Sequence, residues 1–361
     1  GPGGEDRKGR GPVIDKILSN PSTSWTVAGP SRQIVLSSRI RLARNLYKYP
    51  MNAFYNKDSA CLVLAEIEKA AQDIKELQLF RLDELTEWQK QILFEKHLIS
   101  REHMEEKPHK AILLNQNESV SIMVNEEDHL RIQVLLPGLQ LDKAWEEADR
   151  IDDLLENHLE YAFHEEKGYL TCCPTNVGTG LRASVMIHLP GLTAAKQAAK
   201  IFKTLGQLGL VVRGLYGEGT EATGYLFQIS NQITLGHKET EIIQNLTAVT
   251  RQLIEKEEEI RRLLFAETPL EIKDRVGRAY GILKNAVVLT SQEALNYLSD
   301  LRLGIDLGLL DPAVVNVEKI NELMVASQPG FLQNQAGRAM ESLERDAARA
   351  ELFNKMLPDR R

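Results

Sequence analysis

The stretch AILLNQNESVSIMVNEEDHLRIQVLL, residues 111–136, decides the fold class. Ala111 to Asn115 opens with a short apolar run. Val120, Ile122 and Val124 then occupy every second position, and Leu130, Ile132, Val134 and Leu136 repeat that period. A period of two sends alternate side chains to opposite faces of an extended chain, and Asn and Asp at the joins favour turns. An antiparallel meander with one buried face is predicted. Working outward, Ile34 to Leu36 supplies an earlier strand, and Leu210 to Val212 and Tyr225 to Ile233 supply two later ones. Helices are expected at about 58–77, 141–163 and 194–208. The second of these places Leu141, Ala144, Trp145, Ala148, Ile151, Leu155, His158 and Leu159 on one face. The expected class is α+β, an antiparallel sheet with helices packed on one face, over residues 34–260.

The chain has 361 residues, which at about 150 per domain predicts two domains. Residues 1–33 are rich in Gly, Pro and Ser, with one short apolar patch at Val13 to Leu18, and read as a loosely ordered lead-in; Gly1-Pro2 has the look of a tag remnant. From Lys238 onward only helical periodicity remains, at about 239–267, 270–284, 291–306, 315–327 and 341–356, so residues 261–361 are expected to form an all-α domain. A net charge of −7 argues against nucleic-acid binding, which needs a dominant basic field. No apolar run approaches the roughly 18 residues of a membrane span. Three cysteines, two of them adjacent, make no disulfide framework, so a cytoplasmic home is expected.

The signatures of common nucleotide sites are missing: there is no G-x-x-x-x-G-K-[ST] and no strand-linked G-x-G-x-x-G. His97, His103 and His109 recur every sixth residue, a spacing that fits no common zinc site, and the stretch reads as a solvated charged loop; no protein metal site is expected. The arginines say more. In Ser37-Ser38-Arg39-Ile40-Arg41, alternation puts Arg39 and Arg41 on one face. Two guanidiniums side by side repel unless an anion lies between them. Arg131 lies early in a predicted strand, Arg182 follows a Gly-rich turn, and Arg213 leaves a third strand. Each alone is an ordinary surface residue; five at strand ends and turns suggest a polyphosphate site. Two acidic clusters complement them, Asn125-Glu126-Glu127-Asp128-His129 and Gly217-Glu218-Gly219, able to serve as acid and base or to clamp a cation. Cys172-Cys173-Pro174-Thr175-Asn176-Val177-Gly178-Thr179-Gly180 puts a thiol ahead of a Pro and a Gly-Thr-Gly turn, where backbone N–H groups can favour a thiolate.

Taken together these blocks resemble the phosphagen (guanidino) kinase family. Cys173 to Thr179 matches its C-P-[ST]-N-[ILV]-G-T signature. Asn125 to Arg131 (N-E-E-D-H-L-R), Ser37 to Arg41 (S-[ST]-R-[IV]-R) and Arg213 to Glu218 (R-G-x-x-G-E) match further blocks in the family's order. The resemblance implies ATP phosphates held by Arg39, Arg41, Arg131, Arg182 and Arg213, and His97 packed near the adenine. The nucleotide-binding blocks also take in Ser37, Ser38 and Ile40, then Ala183, Ser184, Val185 and Met186, then Gly214, Leu215, Tyr216, Gly217 and Glu218. It implies Glu127 and Glu218 as the carboxylates that grip a guanidinium, with Cys173 beside it, and Mg²⁺ arriving with ATP. Many relatives carry a histidine where this chain has Met186.

Two departures bear on the substrate. Only 36 residues precede the S-S-R-I-R block, too few for the helical domain of about a hundred residues found in small-molecule phosphagen kinases, and about 100 extra residues follow at the C-terminus. That layout resembles the bacterial protein-arginine kinases. Arg345-Asp346-Ala347-Ala348-Arg349-Ala350 matches their R-D-x-x-R-A motif, implying a phosphoarginine pocket formed by Arg345, Asp346, Arg349 and Ala350. Arg345 and Arg349 are four apart and so neighbours on one helix face. The resemblance further implies arginine-containing protein substrates, an activator protein, a Clp-type protease downstream in a stress response, and a homodimer through the tail. A kinase for a free guanidino compound and a catalytically dead phosphoarginine adaptor are the competing readings.

Overall fold

The computed structural model describes residues 12–51, 56–216 and 222–359. In chain order the elements are α1 (Pro12–Ser19), β1 (Val35–Arg44), α2 (Lys57–Ala71), β2 (Gln78–Arg81), α3 (Glu87–Glu95), β3 (Ala111–Leu114), β4 (Val120–Val124) and β5 (Leu130–Pro137). Next come α4 (Leu141–Glu156), β6 (Phe163–His164), β7 (Gly168–Tyr169), β8 (Leu181–His188), α5 (Pro190–Ala194), α6 (Ala198–Gln207), β9 (Leu210–Gly214) and β10 (Leu226–Asn231). Six helices finish the chain: α7 (Glu239–Glu267), α8 (Pro269–Asn285), α9 (Ser291–Asp306), α10 (Val317–Ala326), α11 (Pro329–Ala336) and α12 (Ser342–Met356). Among the described residues no helix is long and apolar enough to cross a membrane.

Eight strands form one sheet in the order β2-β3-β4-β5-β1-β8-β10-β9, antiparallel throughout. The meander is β3-β4-β5, and β1 closes on its far side. The period of two sorts the side chains. Ile40 and Leu42 of β1, Ile122 and Val124 of β4, Ile132 and Val134 of β5, and Ala183 and Val185 of β8 face the main core, which α2, α4 and α7 cover.

The second face is not left to solvent. Ile112, Leu114 and Met123 pack against α1, α3 and Phe331 of α11, while Leu36, Leu135, Met186 and Leu226 pack into the core of the C-terminal helices. Helices therefore flank both faces, and β3 and β4 are buried at every position. The C-terminal helices are the physical reason: they give the second face apolar cover that alternation within the strands cannot reveal.

Residues 12–33 also differ from a loose lead-in. Ile14, Ile17 and Leu18 of α1 are buried, and Trp25 is fully enclosed, its indole N–H donating to the Lys96 carbonyl at 3.1 Å. The Lys96 ammonium bonds the Ile17 and Asn20 carbonyls and pairs with Glu118, fastening this segment to the β3–β4 hairpin. The apolar patch Val13 to Leu18 supplies three of these anchors, and Gly and Pro around Trp25 hid the fourth. At the far boundary α7 runs without a break from the main core into the helical region, and buried Arg261 binds Glu257, Asp306 and the His188 carbonyl together.

Candidate functional site

The strand register gathers the arginines. Directly paired residues share a face, and Arg41 lies between Gln133 of β5 and Arg182 of β8. Arg39 lies opposite Ser184, and Arg131 is level with Ala43. Arg213 pairs with Gln228, itself opposite Met186. All five arginines therefore project from the face opposite the main core. Ser37, Ser184 and Met186 share that face, whereas Ile40, Ala183 and Val185 point into the main core and Ser38 is buried against Gly138 and Gln140.

A cavity of about 1560 Å³ opens over this face. Ser37, Arg39, Arg41, Ser184, Met186 and Gln228 form its floor, and His97, Leu215 and Tyr216 line it nearby. One wall comes from α3 and the segment after it, through Gln91, Glu95 and Ser100, and another from the C-terminal helices, through Arg275, Leu295, Asn296 and Gln328. Arg131, Arg182 and Arg213 continue the cationic row along the strands.

The electrostatics of this cluster suit an anion. Burial, reinforced by the charges of Arg131 and Arg182, lowers the Arg39 guanidinium to about 10. Arg41 is pushed down further by burial and by Arg39, Arg131 and Arg182, and its Nε is buried without an acceptor. Arg39 is steadied by Ser184 Oγ at 3.2 Å and Gln228 Oε1 at 2.6 Å. Glu126 and Glu127, both paired with Arg131, offset only part of the charge of five arginines, and a polyphosphate would supply the rest with matching geometry.

The acidic turn between β4 and β5 is held so that one carboxylate stands out. Asn125 adopts φ 59° and its amide donates to the Ala60 and His109 carbonyls. Asp128 is buried and accepts from Asn45 Nδ2 at 2.7 Å and the Cys172 amide at 2.8 Å. His129 accepts from the Leu46 amide and donates to the Pro50 carbonyl. Glu126 is buried against Arg131 and Ser100. Glu127 alone of the five is exposed, and its carboxylate accepts from Arg131 Nη2 at 3.0 Å. Partial burial, with help from the nearby Asp128 and Glu126 charges, raises its carboxyl despite Arg131.

Asp128 also ties the cysteine loop to this turn, because the Cys172 amide is its donor. Cys173 caps a short 3-10 turn, Pro174–Asn176, and its Sγ lies 2.9 Å from Thr175 Oγ1. Gly178, at φ 110°, passes so close to the Thr234 carbonyl that a Cβ would lie 2.6 Å from its oxygen; only glycine fits there. Arg182 feels the charges of Arg213, Arg131, Cys173 and Glu127, so the cation row, the thiol and the carboxylate meet in one place. Gly217 and Glu218 lie outside the described residues.

His97 is not a solvated loop residue. Its ring stacks on Trp25 at 4.9 Å and 8°, Tyr216 Oη lies 3.0 Å from its Nε2, and Gln133 donates to its carbonyl. Burial beside Arg39 lowers it to about 3, keeping it neutral. His103 is likewise buried, with Nε2 on the Ala111 carbonyl. Trp25, Gln133 and Gln228 escaped the sequence reading; the period-two pattern that put Arg41 on the open face would have flagged the last two.

In the tail, Arg345 and Arg349 lie on α12, but their surroundings differ. Arg349 is buried, donating to the Ser327 and Leu289 carbonyls at 2.7 Å each and to Asp346 at 2.6 Å. Arg345 is half-buried and donates to the Met340 carbonyl. Ala350 is buried in the core of the C-terminal helices.

Comparison with known proteins adds the following. The profile described as "ATP:guanido phosphotransferase, C-terminal catalytic domain" matches residues 60–260, and that described as "Protein-arginine kinase McsB C-terminal domain" matches residues 269–360. A protein-arginine kinase of Symbiobacterium thermophilum is 51% identical over 350 residues, spanning 95% of this chain and 99% of its own. One from Moorella thermoacetica is 51% identical over 91% of this chain and 95% of its own. Among solved structures, a lombricine kinase aligns with TM-score 0.56 and 25% identity over 68% of this chain and 75% of its own. A duplicated taurocyamine kinase from Schistosoma mansoni aligns with TM-score 0.58 and 24% identity, over 69% of this chain and 36% of its own, and bears on fold alone.

Proposed function

Since this chain belongs to the protein-arginine kinases of the ATP:guanido phosphotransferase family, we propose how its residues perform that transfer. It is a phosphotransferase that moves the γ-phosphoryl group of ATP to arginine side chains of proteins. The observation that carries the site assignment is the row of arginines around a buried, unpartnered Arg41 Nε, one of which, Arg131, pairs with the exposed Glu127. Arg39, Arg41, Arg131, Arg182 and Arg213 hold the triphosphate, and His97, backed by Trp25, lies by the base.

A free arginine guanidinium has its pKa above about 12 and offers no lone pair for attack. Glu127 orients it and accepts the proton leaving Nη as that nitrogen bonds the γ-phosphorus and the bond to ADP breaks. Glu218 holds a second edge of the guanidine, and Cys173 lies beside it. Alignment and preorganised charge supply most of the acceleration.

Mg²⁺ fits a place on the substrate rather than in a protein cage. Among the described residues no group of three His, Cys, Asp or Glu is set to hold a metal, and Glu126 and Glu127, whose charges reach the arginines, both pair with Arg131. Bound through the phosphates, Mg²⁺ would offset their charge. The wider setting is proposed from the tail's resemblance: a cytoplasmic homodimer, a phosphoarginine pocket around Arg345, Asp346, Arg349 and Ala350, an activator protein, and delivery of marked proteins to a Clp-type protease under stress. Incubation with γ-labelled ATP and either free arginine or an unfolded arginine-rich protein tests the substrate. Acid-labile label on protein is expected; label on free arginine alone would overturn the reading.

A further inference from the structure

Glu95 ends α3 with a carboxylate that is only 6% exposed and lines the same cavity. Its partners belong to the other half of the molecule. Both carboxylate oxygens accept from the Gly330 amide, at 3.1 Å each, and Gln91 donates to Oε1 at 2.9 Å. Gly330 is the second residue of α11, so its amide is among those a helix leaves without an internal partner. Glu95 thus caps a C-terminal helix from the catalytic side, with its charge at the favourable end of that helix.

The junction admits nothing larger. A Cβ on Gly330 would lie 2.8 Å from Glu95 Oε2 and 2.9 Å from the Ile92 amide nitrogen. From the opposite side, Arg349 grips the carbonyl of Ser327, three residues before Gly330. Gln328 and Pro329, between these two grips, line the cavity. The Glu95 charge is felt by Arg349 on one side and by Tyr216 on the other, and Tyr216 bonds His97. Glu95, Gln328, Pro329, Tyr216 and His97 therefore line one cavity, with Tyr216 bonded to His97. Burial raises the Glu95 carboxyl to about 7, a cost that a purely apolar contact between α3 and α11 would not carry.

We propose that Glu95 is a positioning residue for the nucleotide: by seating α11 on α3 it fixes the segment that carries His97 and makes ATP affinity depend on the tail helices. This rests on reading the cavity as the ATP site. Steady-state kinetics of the full chain with varied ATP test it. Glu95→Ala should raise KM for ATP by about five- to tenfold while kcat changes by less than about twofold. Glu95→Gln, which keeps an acceptor, should recover most of that loss. Gly330→Ala, altering the junction from the other side, should raise KM similarly, and the double variant should be no worse than either single one.

An unchanged KM in Glu95→Ala with a lowered Tm would reduce Glu95 to packing and overturn the proposal, as would a fall in kcat at constant KM. Should Glu95→Ala fail to fold, the KM of Gly330→Ala decides by the same criteria. A wild-type enzyme that does not saturate with ATP would instead refute the reading of the cavity.

Discussion

Glu127 and Arg41 carry opposite burdens, and each yields a prediction. Removing the charge at Glu127 should leave nucleotide binding within about threefold while lowering kcat by about 10²–10⁴, the usual worth of a proton acceptor. Calorimetric titration of a non-hydrolysable ATP analogue beside turnover measurements checks the split; equal activity would remove Glu127 from the base role. Because burial holds its carboxyl above the ordinary carboxylate range, and because the acceptor must be ionised, the acid limb of the kcat/KM profile should fall at a pH higher than for a free carboxylate. Arg41 is buried among like charges with its Nε unpartnered. Arg41→Met should therefore raise the Tm of the ligand-free protein, by about 1 °C if about 1 kcal/mol of strain is relieved, and weaken ATP binding. A lower Tm in that variant would show that Arg41 supports the fold without ligand.

At the scale of elements, the N-terminal segment is held by few contacts, and Trp25 is the largest. Trp25→Ala removes a fully buried ring that also backs His97, so it should cost about 3–5 kcal/mol and raise KM for ATP, read by denaturant unfolding and kinetics on the same preparation. The segment shows why some elements could be read from sequence and others not. The β3-β4-β5 meander, α9 and α12 announce themselves by periodicity. Residues 12–33 do so only in part: Val13 to Leu18 forms a short apolar patch, but Trp25 stands alone among Gly, Pro and Ser and finds its partners only in the tertiary fold. The same holds for α3 and α11: each is short, and each is stabilised by the other across about 240 residues of chain. The arginine row was readable because alternation fixes faces. Its depth was not, since the wall beside it comes from helices far along the sequence.

Three apolar clusters share the sheet across the whole molecule. Leu36, Leu135, Met186 and Leu226 of the sheet or its margin are buried by the C-terminal helices, and Arg261, His188 and Ser299 form a polar join between the halves. Ending the chain after α7 should expose that apolar face and remove one wall of the cavity. The expected result is a protein that binds a hydrophobic dye, aggregates, and binds ATP weakly; a soluble truncated chain with unchanged ATP affinity would show the halves to be independent. The central claim, that the arginine row and Glu127 together phosphorylate arginine in proteins, is tested most directly by mass spectrometry of an arginine-containing protein after incubation with ATP, using the wild-type chain and Glu127→Gln in parallel. The account predicts phosphate on arginine nitrogen with the wild type and none above background with the variant. Phosphate appearing on serine, threonine or tyrosine instead, or equally on arginine with both enzymes, would contradict it.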